Sequence, residues 1–341
     1  MADKYFDGKI VMVTGGTGSF GHSIVKKLLK KNVSEIRIFS RDEKKQDDMR
    51  YEFFGEKRIR YVIGDVRDKD SLRRAMRNVD IIYHAAALKQ VPQCEENAFQ
   101  ASLTNIVGAQ NIVDVAFECN VDKVIAISTD KAVEPVNVMG MTKAVQERIM
   151  ISANKHKDGK RTKFCCVRYG NVLASRGSVA PLFFKQIAEG KQITITDDRM
   201  TRFILVLDQA IELVFKATEL MVGGEIFILE LPSHKVKDLA EAMIEEFHSK
   251  NREIKKVGMR PGEKIHETLI SPTESLRTIK RDGYYIILPQ IEIKEIEEKY
   301  PHYSNKDVFR FSSDTAKRLT KEELKALLRK DEHFFKDDEK I

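Results

Sequence analysis

Two stretches of the chain carry residue types whose spacing suits chemistry. The first is Val13-Thr14-Gly15-Gly16-Thr17-Gly18-Ser19-Phe20-Gly21, between an apolar run and an amphipathic one. Gly15, Gly18 and Gly21 have the GxxGxxG spacing. A turn of glycines lets backbone approach a pyrophosphate, which then meets the positive end of the helix that follows. Thr14, Thr17, Ser19 and Phe20 fall in the same turn and belong to the expected cofactor site. The second is Ser128-Thr129-Asp130-Lys131, followed by Met139-Gly140-Met141-Thr142-Lys143. Here a carboxyl and an amine stand side by side, where α/β sheets place their reacting groups.

These residues need a scaffold, and the first half of the chain supplies the pattern for one. The runs Ile10–Val13, Ile36–Phe39, Tyr61–Ile63, Ile81–Tyr83 and Val124–Ile127 are short, apolar on both faces and rich in β-branched residues. Such runs read as parallel strands buried under helices. Helical patterns lie between them, one over Gly21–Lys31 and another over Ala98–Cys119. The alternation predicts an α/β fold: a Rossmann-type doubly wound parallel sheet over residues 1–170. Residues 171–341 then form a smaller α/β domain and a tail, with part of 203–225 returning to the sheet. Its expected elements are helices at Val179–Glu189, Asp208–Glu219 and Val236–Lys250, and strands at Ile193–Thr196 and Ile226–Leu231. Thr320-Lys321-Glu322-Glu323 is a capping-box start for a final helix.

Around the glycine turn, the second strand ends at Phe39-Ser40-Arg41-Asp42, with Lys44 and Lys45 beyond. An NAD site usually places an acidic residue there for the ribose 2′-hydroxyl, whereas an arginine suits a 2′-phosphate, so the expected cofactor is NADP. Ser40, Arg41 and Lys45 join its site. Asp65 and Val66 follow the third strand and are placed to meet the adenine. Ala85, Ala86 and Ala87 follow the fourth, where small residues allow close approach.

The composition narrows the class. The chain has 341 residues, 42% of them hydrophobic and 33% charged, as in a folded globular protein. A net charge of +7 from 59 basic and 52 acidic residues, with no basic stripe, argues against a nucleic-acid partner. No apolar run approaches the ~18 residues of a membrane span. Asp3, Lys4 and Asp7 stand where a leader's apolar region would lie. Cys94, Cys119, Cys165 and Cys166 form no CxxC pair, and no histidine has zinc-ligand spacing. They read as reduced thiols of a cytoplasmic protein without a metal site.

Several segments together resemble one family. Ser128-Thr129-Asp130-Lys131 with Lys143 resembles the extended short-chain dehydrogenase/reductases, in which a strand-end Ser/Thr works with a YxxxK pair. Met139 stands at the Tyr position. A closer similarity is to the inverting UDP-N-acetylglucosamine 4,6-dehydratases of surface-glycan biosynthesis, including a branch with Met at that position. It is carried by His84-Ala85-Ala86-Ala87-Leu88-Lys89-Gln90-Val91-Pro92, Arg168-Tyr169-Gly170-Asn171-Val172 and Ser175-Arg176-Gly177-Ser178-Val179. Met200-Thr201-Arg202-Phe203, Arg260-Pro261-Gly262-Glu263-Lys264 and the Ser312-Ser313-Asp314 tail extend it.

The resemblance implies that hydride leaves C4 of the sugar for NADP⁺, which makes the C5 proton acidic. Asp130 then protonates the departing C6 hydroxyl and Lys131 removes the C5 proton; retaining relatives carry Asp-Glu there. These roles ask for a raised pKa at Asp130 and a lowered one at Lys131. A thioether accepts no proton, so the C4 hydroxyl proton must leave through Lys131, Lys143 or a water held by Thr129, with Lys131 doing double duty. On the substrate side Arg202 and Arg260 are expected at the diphosphate, because a guanidinium matches two phosphate oxygens. Asn171, Ser178, Glu263 and Lys89 are expected near the nucleotide sugar. His84, His266 and Glu267 read as structural. The cofactor, reduced and reoxidised within one turnover, is expected to stay bound, and a homo-oligomer, dimer or hexamer, is implied. Three alternatives use the same residues: a dehydratase that releases a 4-keto-5,6-ene sugar, a nucleotide-sugar 4-epimerase, and a redox-dead NADP-binding regulator.

Overall fold

The computed structural model describes residues 2–331 apart from 157, 158, 174, 176, 302 and 306, so Arg176 of the expected substrate segment lies outside the described residues. The β-branched runs form strands and the amphipathic stretches form helices, in alternation. β1 (Ile10–Thr14), α1 (Ser19–Leu28), β2 (Glu35–Ser40), α2 (Glu43–Glu52), β3 (Ile59–Ile63), α3 (Lys69–Met76) and β4 (Ile81–His84) make the first half. In β1 the four residues from Val11 to Thr14 are buried, as a strand covered on both faces must be. α1 buries Gly21, Ile24, Val25 and Leu28 on one stripe.

The helix expected over Ala98–Cys119 is interrupted. α4 (Val91–Glu96) and α5 (Ala98–Ser102) come first, then a π-type turn at Leu103–Val107, then α6 (Gly108–Glu118). Periodicity cannot show such a turn, whose extra residue carries buried Asn105. The Asn105 Nδ2 donates to the Leu88 carbonyl and to Thr142 Oγ1, each at 3.0 Å, and its Oδ1 accepts from the Leu88 amide.

β5 (Lys123–Thr129) is the last of the five strands named from the sequence, and α7 (Val138–Ala153) and β6 (Lys163–Tyr169) continue the alternation beyond it. The second half then contributes β7 (Asn171–Val172), α8 (Val179–Ala188), β8 (Ile193–Ile195), β9 (Thr201–Leu205), α9 (Leu207–Leu220), β10 (Ile226–Leu229), β11 (Ser233–Lys235) and α10 (Val236–Glu246). β12 (Ile254–Lys256), β13 (Thr268–Ile270), α11 (Pro272–Ser275), β14 (Thr278–Arg281), β15 (Tyr284–Ile287), α12 (Lys294–Lys299), β16 (Phe311–Ser312) and α13 (Lys321–Lys330) follow.

The main sheet has the order β14-β15-β10-β6-β5-β4-β1-β2-β3. From β3 to β10 the strands run parallel, and β15 and β14 close the far edge antiparallel. More of the second half therefore returns to the sheet than residues 203–225: β10, expected in the smaller domain, pairs with β6, and a hairpin joins it. Asp282-Gly283, just before the apolar run Tyr284–Ile287, is the sequence cue for that hairpin, and Gly283 has φ +76°. α8, α10 and α13 enclose a second core with Phe183, Leu239, Met243, Leu324 and Leu328. Thr320 caps α13 as the capping box requires.

The two halves are locked by one buried charge. Arg168 on β6 is 1% exposed. Its Nε and one terminal nitrogen reach both oxygens of Glu147 on α7, at 3.0 and 2.6 Å. The guanidinium also contacts both oxygens of Glu274 on α11 and the Leu269 carbonyl. The Arg168-to-Val172 segment helps carry the family resemblance, but Arg168 itself is fully engaged in joining the halves. Arg168→Met leaves two buried carboxylates without their cation, so equilibrium urea unfolding should show a loss of about 3–5 kcal/mol.

Candidate active site

The order of the parallel strands reverses between β1 and β4, the position where open α/β sheets form a crevice at their carboxyl ends. Thr14 Oγ1 and His84 Nδ1 meet across it at 2.8 Å, and Thr14 Oγ1 also accepts the Ala86 amide. Burial, with Lys143 nearby, pushes the His84 imidazole down to about 3, so the ring is neutral. Its Nε2 is buried with no hydrogen-bond partner. His84 is therefore a core histidine with one half of its ring satisfied.

The glycine turn is packed closely against the loop after β4 and the start of α1. Gly15 has φ +66°, and a Cβ on it would lie 2.9 Å from Ala86 backbone atoms. A Cβ on Gly21 would lie 2.2 Å from the Gly16 carbonyl oxygen, so α1 can pack on the turn only with glycine there. At Gly18 a Cβ would lie 3.3 Å from the Gly15 carbonyl oxygen, a tight contact that is less severe than those at Gly15 and Gly21. Gly18 is also the N-cap of α1, and no side chain caps it.

At the end of β2, Thr17 and Ser40 share a hydrogen bond of 2.9 Å. Asp42 caps α2 and pairs with Lys45. Arg41 is half exposed and lies 3.5 Å from Asp65. Partial burial opposes ionisation of Asp65, but Arg67 and Arg41 outweigh it and hold its carboxyl below the usual range. Val66 is buried, and its carbonyl accepts from Asn111.

Asp130 and Lys131 occupy a tight turn at the end of β5. Asp130 is fully buried. Its Oδ1 accepts from Thr129 Oγ1 at 2.9 Å and from Lys131 Nζ at 3.0 Å, while Oδ2 is buried with no partner. The Lys131 side chain keeps 22% of its surface. A second carboxylate, Glu267, lies 3.3 Å from the same ammonium. Burial acts to lower the Lys131 pKa, but Asp130 and Glu267 together outweigh burial and raise it. The expected lowering is therefore corrected: Lys131 is protonated at neutral pH. The idea that it also takes the C4 hydroxyl proton meets the same obstacle.

Lys143 is buried on α7, where its Nζ donates to the Ile127 carbonyl at 2.6 Å and to Gln146 at 2.8 Å. Burial lowers its pKa to about 8. Met139, one helical turn earlier, packs in an apolar cluster with Cys94 and Ala101 and brings no acid or base. Asn137 caps α7 by accepting the Gly140 amide and donates to the Gly262 carbonyl.

The second half wraps this turn. Lys264 Nζ donates to the Val133 carbonyl at 2.6 Å. Arg202, expected at the diphosphate, is largely buried and turned inward. Its guanidinium donates to the carbonyls of Thr201, Lys264 and Ile265, and its Nε lies 3.9 Å from Glu267. It thus holds the 264–267 backbone in place. Arg260 is exposed, and Glu263 accepts its amide. Asn171 Oδ1 and Ser178 Oγ are buried without partners, as groups awaiting a ligand would be. Lys89 is exposed on the loop after β4.

Residues 11–289 match a family model described as "Polysaccharide biosynthesis protein". The chain belongs to that family. It is an extended short-chain dehydrogenase/reductase with the Rossmann-type α/β fold. A relative named "UDP-N-acetylglucosamine 4,6-dehydratase (inverting)", from Campylobacter jejuni subsp. jejuni serotype O:23/36, is 45% identical over 91% of this chain and 93% of its own length. A relative named "UDP-glucose 4-epimerase", from Rickettsia akari, is 44% identical over 95% of this chain and 96% of its own. The X-ray structure of Pen from Bacillus thuringiensis superposes with a TM-score of 0.89 at 40% identity, covering 96% of this chain and all of that one.

Against this short-chain dehydrogenase/reductase background, Glu267 is the site residue that the sequence reading missed, treating it as structural. It belongs to no YxxxK or glycine signature. The signal was its position just beyond Arg260-Pro261-Gly262-Glu263-Lys264. Among the described residues no helix is long and apolar enough to cross a membrane, and no cluster suited to a metal occurs. Cys94, Cys165 and Cys166 are buried thiols, and Cys119 is partly buried.

The low pKa of Lys143 has a stability consequence. Between about 8 and its ordinary value near 10.5, folded Lys143 is neutral while the unfolded side chain is still protonated. The unfolded state then binds more protons, so stability rises with pH in that window. Urea unfolding at several pH values above 8 should show wild-type stability rising by about 1 kcal/mol per pH unit relative to Lys143→Met. Parallel curves would refute the assignment.

Proposed function

We propose that the protein is an NADP-dependent, inverting UDP-N-acetylglucosamine 4,6-dehydratase. The observation that carries this reading is the Asp130–Lys131 pair, a buried carboxyl and an amine 3.0 Å apart at the carboxyl end of β5. Removing water across C5 and C6 of a sugar needs an acid for the C6 hydroxyl and a base for the C5 proton. A 4-epimerase, the activity named for the Rickettsia relative, has no use for such a pair.

Thr14, Gly15, Thr17, Gly18, Ser19, Phe20 and Gly21 form the cradle for the pyrophosphate. Ser40, Arg41 and Lys45 flank the adenosine ribose, with Arg41 the cation for a 2′-phosphate; Asp65, Val66 and Ala85 to Ala87 line the remainder, and Lys143 takes the nicotinamide ribose. The nicotinamide supplies a hydride acceptor that makes C4 a ketone, and a hydride donor for C6. Asp130, held by Thr129, delivers a proton to the leaving C6 hydroxyl. Lys131 receives the C5 proton. On the substrate side Arg260 is the exposed guanidinium for the diphosphate, Asn171 and Ser178 offer unpaired polar atoms, and Glu263 and Lys89 lie on the bordering loops. Arg202 contributes by fixing the 264–267 segment.

Incubation with UDP-N-acetylglucosamine in deuterated water, followed by proton NMR and mass spectrometry, tests the reading. The expected product has lost one water, carries deuterium at C5 and is inverted there. A product two hydrogens lighter would be the 5,6-ene, and unchanged mass with an inverted C4 would be epimerisation. Asp130→Asn should lower turnover about 10²–10⁴-fold, the usual contribution of a positioned acid. Arg41→Ala should weaken NADP binding about tenfold or more, by calorimetry, and leave NAD binding nearly unchanged.

A further inference from the structure

Lys131 poses a problem for that chemistry. An amine takes a proton only when neutral, and this one lies against two buried carboxylates. Asp130 carries one proton, and the one it takes from the C4 hydroxyl is the one it gives to the C6 oxygen, so it cannot also relieve Lys131. A second acceptor is needed, and one is in contact.

Glu267 is 2% exposed, with Oε1 3.3 Å from Lys131 Nζ and 3.9 Å from Arg202 Nε. Its Oε2 is buried with no hydrogen-bond partner, an expensive arrangement for a purely structural carboxylate. Its backbone is fixed, because the Glu267 amide donates to Ser313 Oγ and its carbonyl accepts the Ser313 amide. Thr201 Oγ1 braces Ser313 and also contacts His266. The charged groups facing the pair are Asp130 from the turn, Arg202 from β9 and Lys264 from the wrapping segment.

We propose that Glu267 is the proton partner of Lys131: it holds the ammonium in place and takes its proton when the amine must act as the C5 base. The proposal rests on the dehydratase reading and supplies the step it lacks. A sugar seated on the turn covers what remains exposed of Lys131. Completing the burial disfavours the ion pair and favours moving the proton across to leave an amine and a carboxylic acid.

The protons then balance on the protein's own groups. At rest Asp130 and Glu267 are carboxylates and Lys131 is an ammonium. The proton that leaves the C4 hydroxyl goes to Asp130, and the two electrons that leave C4 as hydride are those returned to C6. Lys131 passes its proton to Glu267, and the free amine takes the C5 proton as the C5–C6 double bond forms. The C6–O bond breaks, and the Asp130 proton departs with that oxygen as water. Glu267 holds the one proton above the resting number and releases it to water. C5 takes a solvent proton on its other face. Glu267 acts through Lys131 and is a positioning residue, not one that touches the sugar.

Two measurements test this. In the substrate-free protein labelled with ¹⁵N-lysine, the Lys131 Nζ signal, assigned by its loss in Lys131→Arg, should titrate about one pH unit or more lower in Glu267→Gln than in wild type. An unchanged titration overturns the proposal whatever the substrate. With UDP-N-acetylglucosamine, Glu267→Gln should lose C5 deuterium exchange about 100-fold or more. Substrate-driven cofactor reduction, followed by near-ultraviolet absorbance, and KM should stay within a few-fold. Equal loss of both steps overturns the proposal. Glu267→Asp, which keeps the anion, should restore part of the exchange, and no recovery counts against it. If wild type exchanges no C5 proton, the substrate reading fails, and the lysine titration still decides the pairing.

Discussion

A guanidinium with almost no water around it sits at the centre of this molecule, and the arrangement of both halves depends on keeping it charged. Arg168 achieves this with two carboxylates from different parts of the chain, Glu147 on α7 and Glu274 on α11. Burying such a triad stabilises less than an apolar core of equal volume would, but leaving it incomplete is costly. It therefore acts as a condition on assembly: β6, α7 and the 269–275 segment must come together as one unit. Glu147 also accepts the Ser128 hydroxyl at 2.6 Å, so the same triad fixes the strand end that carries Asp130 and Lys131.

From that anchor the catalytic turn is clipped on its other side by one stretch of the second half. Asn137 holds the Gly262 carbonyl, Lys264 holds the Val133 carbonyl, and Glu267 meets Lys131. Arg202 braces the backbone of that stretch from behind. Asp130 and Lys131 come from the sheet, but contacts from residues far along the chain fix the turn that carries them. A site divided in this way is stiff, because each clip removes freedom from a turn that would otherwise be an ordinary loop.

This division explains what the sequence disclosed and what it withheld. The Rossmann-type sheet was legible because buried parallel strands are continuous apolar runs and their helices carry a clear stripe. The glycine turn was legible because φ and close approach at Gly15 and Gly21 leave no other residue. Asp130, Lys131 and Lys143 were legible because they sit at fixed offsets from a strand end. Long-range pairings were not. Nothing local to Glu267 points at Lys131, and nothing local to Arg202 shows whether its fork meets phosphate or backbone carbonyls. The π-type turn at Leu103–Val107 and the sheet-closing hairpin were lost for a related reason: each exists to meet a distant partner, Leu88 and Thr142 in one case and β10 in the other.

The electrostatics of the site follow from where charge can be afforded. Buried Lys143 has a lowered pKa because Cys166 and Glu147 nearby offset only part of the loss of water. Lys131, less enclosed, goes the other way because two carboxylates lie against it. The two amines of one site are thus divided by their neighbours into one that loses its proton readily and one that keeps it. Met139 sharpens that division: a thioether in an apolar cluster one turn before Lys143 brings no acid or base of its own. In the proposed mechanism proton traffic is confined to the Asp130–Lys131–Glu267 row. In that row a carboxylate on each side of the amine is the smallest set that can present an acid and a free base together.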